Sequence, residues 1–158
     1  MDKRAWLGLT AAAVLAACAT SPAPKTIADT AAATPQLTTL SKLIADAGMA
    51  DTLRSSGPYT VFAPSDEAFK AVPAKTLAEL STNKEMLRSV LSYHVVAGSV
   101  AAGEVKDGPA KTLQGANLAL SRAGNFVTVE EAVVTQPDLR ASNGVVHIID
   151  RVLLPPKK

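Results

Sequence analysis

The sequence predicts an α+β fold, and three observations carry this reading. Between Leu37 and Tyr93 apolar residues recur at three- and four-residue spacing, the period of amphipathic helices. Beyond His94 the chain breaks into short β-prone pieces punctuated by Gly98, Gly103, Gly108, Gly115, Gly124 and Gly144. The two kinds of signal follow one another instead of alternating, which argues against a doubly wound parallel sheet.

Taken in order, Leu37, Leu40, Leu43, Ile44 and Ala47 define one amphipathic helix, with Pro35 near its start and Gly48 as its C′ residue. A short apolar cluster, Met49 and Leu53, leads to Gly57 and Pro58, which break the helical pattern before the strand that opens at Tyr59. Pro64 ends that strand, and Ser65 caps a helix whose first turn carries Asp66 and Glu67, well placed against the positive end of the dipole. Pro73 starts a helix through Leu77 and Leu80. Thr82 with Glu85 reads as a capping box for a third helix that runs to about Tyr93. Strands are expected around Lys111–Leu113, Leu118–Leu120, Phe126–Val129, Ala132–Thr135 and Val145–Ile149.

The first residues read as an address. Lys3 and Arg4 precede an apolar stretch of 13 residues, Ala5 to Ala17, too short for the roughly 20 that span a bilayer. Leu15, Ala16, Ala17 and Cys18 then resemble the lipobox of bacterial lipoprotein signals. That resemblance implies a signal peptide over 1–17, with the thiol of Cys18 carrying diacylglycerol. Residues 18–25 become the lipidated cysteine and its tether, and 26–158 the folded body. Ala19, in place of an aspartate that commonly retains such proteins at the inner membrane, implies the outer membrane in a Gram-negative host. The alternative is an ordinary secretory signal cut after Ala19. Since Cys18 is the single cysteine, no disulfide is available to the body, and packing must hold it together.

Composition narrows the function. Of the 158 residues 29 are alanine, aromatics are 4%, and 16 basic against 14 acidic residues give a net charge of +2. Neither a stacking platform nor a basic stripe for nucleic acid is present. The sequence has no nucleophile elbow, phosphate loop or dinucleotide fingerprint, so no cofactor is implied. Its two histidines, His94 and His147, stand apart with no cysteine in the body, which excludes a structural zinc site, and a catalytic metal is not indicated. No enzyme is expected.

TVFAPSDEAF at Thr60–Phe69 and GVVHIIDRVLLPP at Gly144–Pro156 resemble, in order and spacing, the two signature segments of the fasciclin, or FAS1, domain. YHVVAG from Tyr93 resembles the tyrosine-histidine motif between them, and the likeness extends from Thr26 to Pro156 in one copy. It implies a compact wedge of two small β-sheets flanked by helices, and a surface-tethered or extracellular adhesion module with a protein or polysaccharide partner. Two segments proposed as integrin-binding in animal members have counterparts here. Asn83, Lys84, Glu85, Met86 and Leu87 resemble an Asn-Lys-Asp-Ile-Leu motif, departing from it at Glu85 and Met86; Tyr93 and His94 resemble the second. Bacteria have no integrins of their own, so the partner's identity does not carry over. Leu87, Val90, Leu91 and His94 share one helical stripe, so Tyr93 and His94 also read as packing residues.

Thr60, Phe62, Pro64, Phe69, His147 and Asp150 belong to the signature and read as structural. Alternation along the last strand puts His147 and Asp150 on opposite faces, so they cannot form a dyad. Glu130 and Glu131 read as a solvated turn or strand edge. A second reading of the function is a module that holds a small apolar ligand or organises the envelope. A deep pocket lined by Met49, Leu53, Phe62 or Phe126 would favour it, whereas an exposed ridge from Asn83 to Val96 would favour adhesion.

Overall fold

The computed structural model describes residues 25–55 and 57–156; the signal peptide, Cys18 and most of the tether lie outside them. Among the described residues are six α-helices, α1 Ile27–Ala33, α2 Thr38–Asp46, α3 Ala50–Arg54, α4 Asp66–Lys70, α5 Ala74–Thr82 and α6 Lys84–Tyr93, with the first strand between α3 and α4 and the others after α6. The strands are β1 Tyr59–Pro64, β2 Val95–Ala97, β3 Gly108–Lys111, β4 Asn117–Ala123, β5 Phe126–Val129, β6 Ala132–Ala141 and β7 Gly144–Ile149. They form one seven-stranded sheet in the order β2-β1-β7-β6-β5-β4-β3, which replaces the expected two small sheets. The join is β6, whose first residues pair with β5 and whose remainder pairs with β7. All pairings are antiparallel except β1 with β7, which run parallel from Tyr59↔Gly144 to Pro64↔Ile149.

That parallel pair is covered on both faces and so reads as an unbroken apolar run. Val61, Ala63, Val146 and Ile148 pack into a helical core with Ile27, Leu40 and Leu87. Phe62 and Ile149 face a second core with Val96, Leu118, Val127 and Val129. Each such side chain, fully buried, contributes roughly 1.5–3 kcal/mol of transfer free energy. Alternation along two adjacent strands thus builds both cores of the domain.

Several elements differ from the sequence expectation for identifiable reasons. Helix α1 was not expected, because IADTAAA carries little apolar periodicity; its signal is a capping box in which Thr26 Oγ1 accepts from the Asp29 amide and Asp29 reaches back to Thr26. The box expected at Thr82 and Glu85 does not form. Asn83 is the N-cap of α6, its Oδ1 accepting from the Glu85 and Met86 amides at 3.1 Å, while the Thr82 hydroxyl donates backward within α5. Strand β2 is three residues long and directly follows α6, too short to register as a run. Strand β3 lies three residues earlier than expected because, on the edge of the sheet, Pro109 is tolerated. Strand β6 continues past Pro137 through register shifts between Val134 and Leu139, where the missing N–H of proline falls at a bulge.

Candidate functional site

The signature residues converge on the middle of the sheet and on the loops that cross it. Thr60, fully buried, accepts from the Val100 amide at 2.8 Å and donates to the Gly98 carbonyl at 2.6 Å, pinning the loop after β2. Phe62 stacks on His147 with ring centroids 5.6 Å apart. The Asp138 amide donates to His147 Nδ1 at 3.1 Å, so Nε2 carries the proton and donates to the Val100 carbonyl at 2.8 Å. Asp138, at φ 58°, receives the Ala102 amide on its carboxylate. His147 and Asp138 therefore clamp the 98–104 loop against the β6 bulge. Asp150 is engaged elsewhere, its Oδ1 accepting from the Val133 amide at 2.8 Å.

His94 is the mirror case. Leu153 donates its amide to Nε2 at 3.0 Å, so Nδ1 carries the proton and donates to the Val90 carbonyl at 2.7 Å. Burial drives its pKa down to about 4, opposed by the bond to Val90. His147 is shifted down as well, first by burial, with its Val100 bond and Asp138 acting against it. Both rings are neutral at neutral pH, with every ring nitrogen committed to a backbone group.

Tyr93 is also interior; its hydroxyl lies 3.5 Å from Glu130 Oε1, and burial together with that carboxylate raises its pKa. Glu130, read from sequence as a solvated turn residue, is more than that. At φ 55° it turns the chain between β5 and β6, and its Oε1 also accepts the Ala119 amide at 2.9 Å.

The Asn83–Leu87 segment divides. Asn83, Lys84 and Glu85 are exposed, Met86 is half-buried, and Leu87 lies in the helical core. The expected ridge from Asn83 to Val96 is accordingly exposed only at its start, because Tyr93, His94, Val95 and Val96 are buried. Beside its exposed part runs a groove of about 760 Å³ whose lining includes Thr76, Glu79, Met86, Gln114, Leu154 and Pro155. Leu154, 48% exposed, is a signature-segment residue that sequence reasoning passed over; its position between the buried Leu153 and two prolines was the available signal. The pocket expected from Met49, Leu53, Phe62 and Phe126 does not form. Met49 and Leu53 belong to the helical core, Phe62 to the other core, and Phe126 is 67% exposed. Among the described residues no group of three or more His, Cys, Asp or Glu side chains could hold a metal ion.

A helical layer on a mixed sheet, closed by a parallel pairing of an early strand with the last one, defines the FAS1 class. The fold matches a solved FAS1 domain pair from the insect cell adhesion molecule Fasciclin I at a TM-score of 0.67 and 16% identity, over 83% of this chain and 51% of that one. The family model for the Fasciclin domain matches residues 35–155, and the chain belongs to that family. It is 40% identical over 146 residues to protein sll1483 of Synechocystis, covering 91% of this chain and 81% of that protein. It is 42% identical to immunogenic protein MPB70 of Mycobacterium bovis, covering 82% of this chain and 69% of that protein. Cell surface glycolipoprotein MPB83 of the same species is 39% identical, and the chain spans 60% of its length.

Proposed function

We propose that this protein is a surface-displayed, lipid-anchored fasciclin module that binds a protein or polysaccharide partner noncovalently through the groove between α5, α6 and the segment Leu154–Pro156. The observation that carries this reading is the division of labour among side chains. The groups suited to chemistry, His94, His147 and Tyr93, are spent on holding the fold, whereas the groove sets the half-buried Met86 and the exposed Leu154 and Pro156 beside the polar Glu79 and Gln114. A surface location is supported by the relatives named as a cell surface glycolipoprotein and an immunogenic protein, and by the lipobox at Cys18. In a Gram-negative host Ala19, standing where a retaining aspartate would, favours the outer membrane for such a lipoprotein.

The test is attachment of beads coated with residues 26–158 to host-like and bacterial surfaces. Glu79→Lys and Leu154→Lys change the charge of the groove at exposed positions that belong to neither core. Loss of attachment with an unchanged circular dichroism spectrum supports the groove; attachment equal to the parent protein's rejects it. Tyr93→Ala with His94→Ala is unsuitable here, because both rings are interior and the variant reports on folding.

A further inference from the structure

We propose that the segment Arg151–Pro156 is an acid-opened latch, tied to the fold through His94, and that a proton taken by that ring frees the wall of the groove while the sheet stays closed. As the regulation of that groove it rests on the function proposed above, but the latch itself is read without a partner. The geometry starts at the end of β7, where Asp150 is still bonded to Val133 on β6. Beyond it, among the described residues, the backbone of 151–156 makes a single hydrogen bond, from the Leu153 amide to His94 Nε2 at 3.0 Å. Arg151 reaches Glu131 at 3.8 Å between exposed groups, a contact that contributes little. Apolar burial is as sparse: Leu153 enters the second core, Val152 is half-buried, and Leu154 and Pro156 are exposed. One bond and one fully buried side chain thus hold the wall in place, whereas β7 is paired with β1 on one side and β6 on the other.

His94 can serve as the catch because its other nitrogen is committed. Nδ1 carries a proton bonded to the Val90 carbonyl at 2.7 Å, so a second proton must go to Nε2, where the Leu153 amide already points. Two donors cannot share that line, and the ring gains its charge when Leu153 leaves. Among the described residues no charged side chain bears on the ring. From α6 it meets the Val90 carbonyl, and β1 offers the Phe62 amide to the His94 carbonyl. The neighbouring Tyr93 turns its hydroxyl to Glu130, and Arg151 is turned to Glu131. Burial, opposed by the Val90 bond, therefore sets the closed ring's pKa at about 4, against 6.5 once the segment is open. Opening is unaided above about pH 7 and rises about 30-fold between pH 7.5 and 5. The groove adds to this tendency: Gln114 Oε1, which lines it, is a buried acceptor without a hydrogen-bond partner, and an opening that admits water relieves that cost. With Leu154–Pro156 gone the groove keeps its α5–α6 side alone, so acid loosens whatever it grips.

Amide hydrogen exchange in the full-length protein in detergent micelles, followed by NMR from pH 7.5 to 5, tests the latch without a ligand. Protection is taken relative to an unfolded amide at each pH. Leu153 should be less protected at every pH than Val146, which is fully buried in the middle of β7, and its protection should fall about 30-fold across the range. Leu153 protected as strongly as Val146 throughout means that the segment leaves together with the whole fold, and this overturns the latch. Leu153 protection that stays level with pH means that His94 is not the catch, and overturns it equally. His94→Gln keeps an acceptor for Leu153 but has no proton to gain, so its Leu153 protection should be flat; an undiminished fall in that variant also overturns the latch. Should the variant fail to fold, the comparison of Leu153 with Val146 in the parent protein decides. None of these results bears on the groove as a binding site, which the attachment test decides.

Discussion

Acid should destabilise this domain through His94, in a defined window. The unfolded chain protonates this ring below the ordinary value of 6.5, while the folded chain resists until about 4. Stability is then constant above about pH 7, falls as pH drops from 6.5 to 4, and loses nothing further to this group below that. At about 1.4 kcal/mol per unit, the loss is about 2 kcal/mol by pH 5 and about 3 kcal/mol by pH 4. Against a domain stability of about 5–15 kcal/mol this is a large fraction. The cause is visible at the ring: a second proton on Nε2 would face the Leu153 amide, a donor with nowhere to turn. His147 adds to the loss in the same direction. Asp29 and Asp66, both held below the usual 3.8, release their contribution only under more acid conditions. Urea unfolding from pH 7.5 to 4.5 measures the loss. Proton NMR follows the two ring signals, of which that of His147 is marked by its stack on Phe62. A His94 ring that titrates near 6.5 in the folded protein, or a free energy flat from pH 7 to 5, would refute the reasoning.

Two substitutions probe how the halves are joined. Asn143→Ala removes the acceptor for the Ile27 amide and the donor to the Leu53 and Ser55 carbonyls, and should cost about 2–4 kcal/mol in urea unfolding, about one for each bond lost and more for groups left buried. Gly144→Ala puts a Cβ into the backbone carbonyl of Tyr59 across the parallel pair, where neither strand can yield; soluble yield and melting temperature should collapse, and a near-normal melting temperature would mean that β1 and β7 are not in this register.

How much of this was legible depended on whether a residue's partner was local. Ser65 capping α4 could be read directly, because donor and acceptor are three residues apart. The N-terminus of α2 could not. Its start, Leu37, has no capping side chain, and Asp66 supplies the acceptor from another helix, taking the Thr38 hydroxyl at 2.6 Å and the Thr39 amide at 2.8 Å. Burial opposes the ionised form of Asp66, and these bonds outweigh it. Glu130 escaped for the same reason: nothing near it in sequence reveals Ala119 or Tyr93. For the site, the stripe that placed His94 among core positions was readable, but the groove was not, since its two walls, Met86 and Leu154, are brought together only by the closed sheet.

The parallel pair has a consequence for how the chain reaches its native state. Tyr59 meets Gly144, a separation of 144 − 59 = 85 residues, and β7 occupies the slot between β1 and β6. The sheet thus stays split until the last of its strands arrives, and closing so long a loop before any pairing energy is gained makes for slow folding. Were the chain threaded across a membrane N-terminus first, as the proposed signal peptide implies, the delay would be useful: the helices could begin to assemble, but the sheet could not lock before nearly all of the chain had passed through.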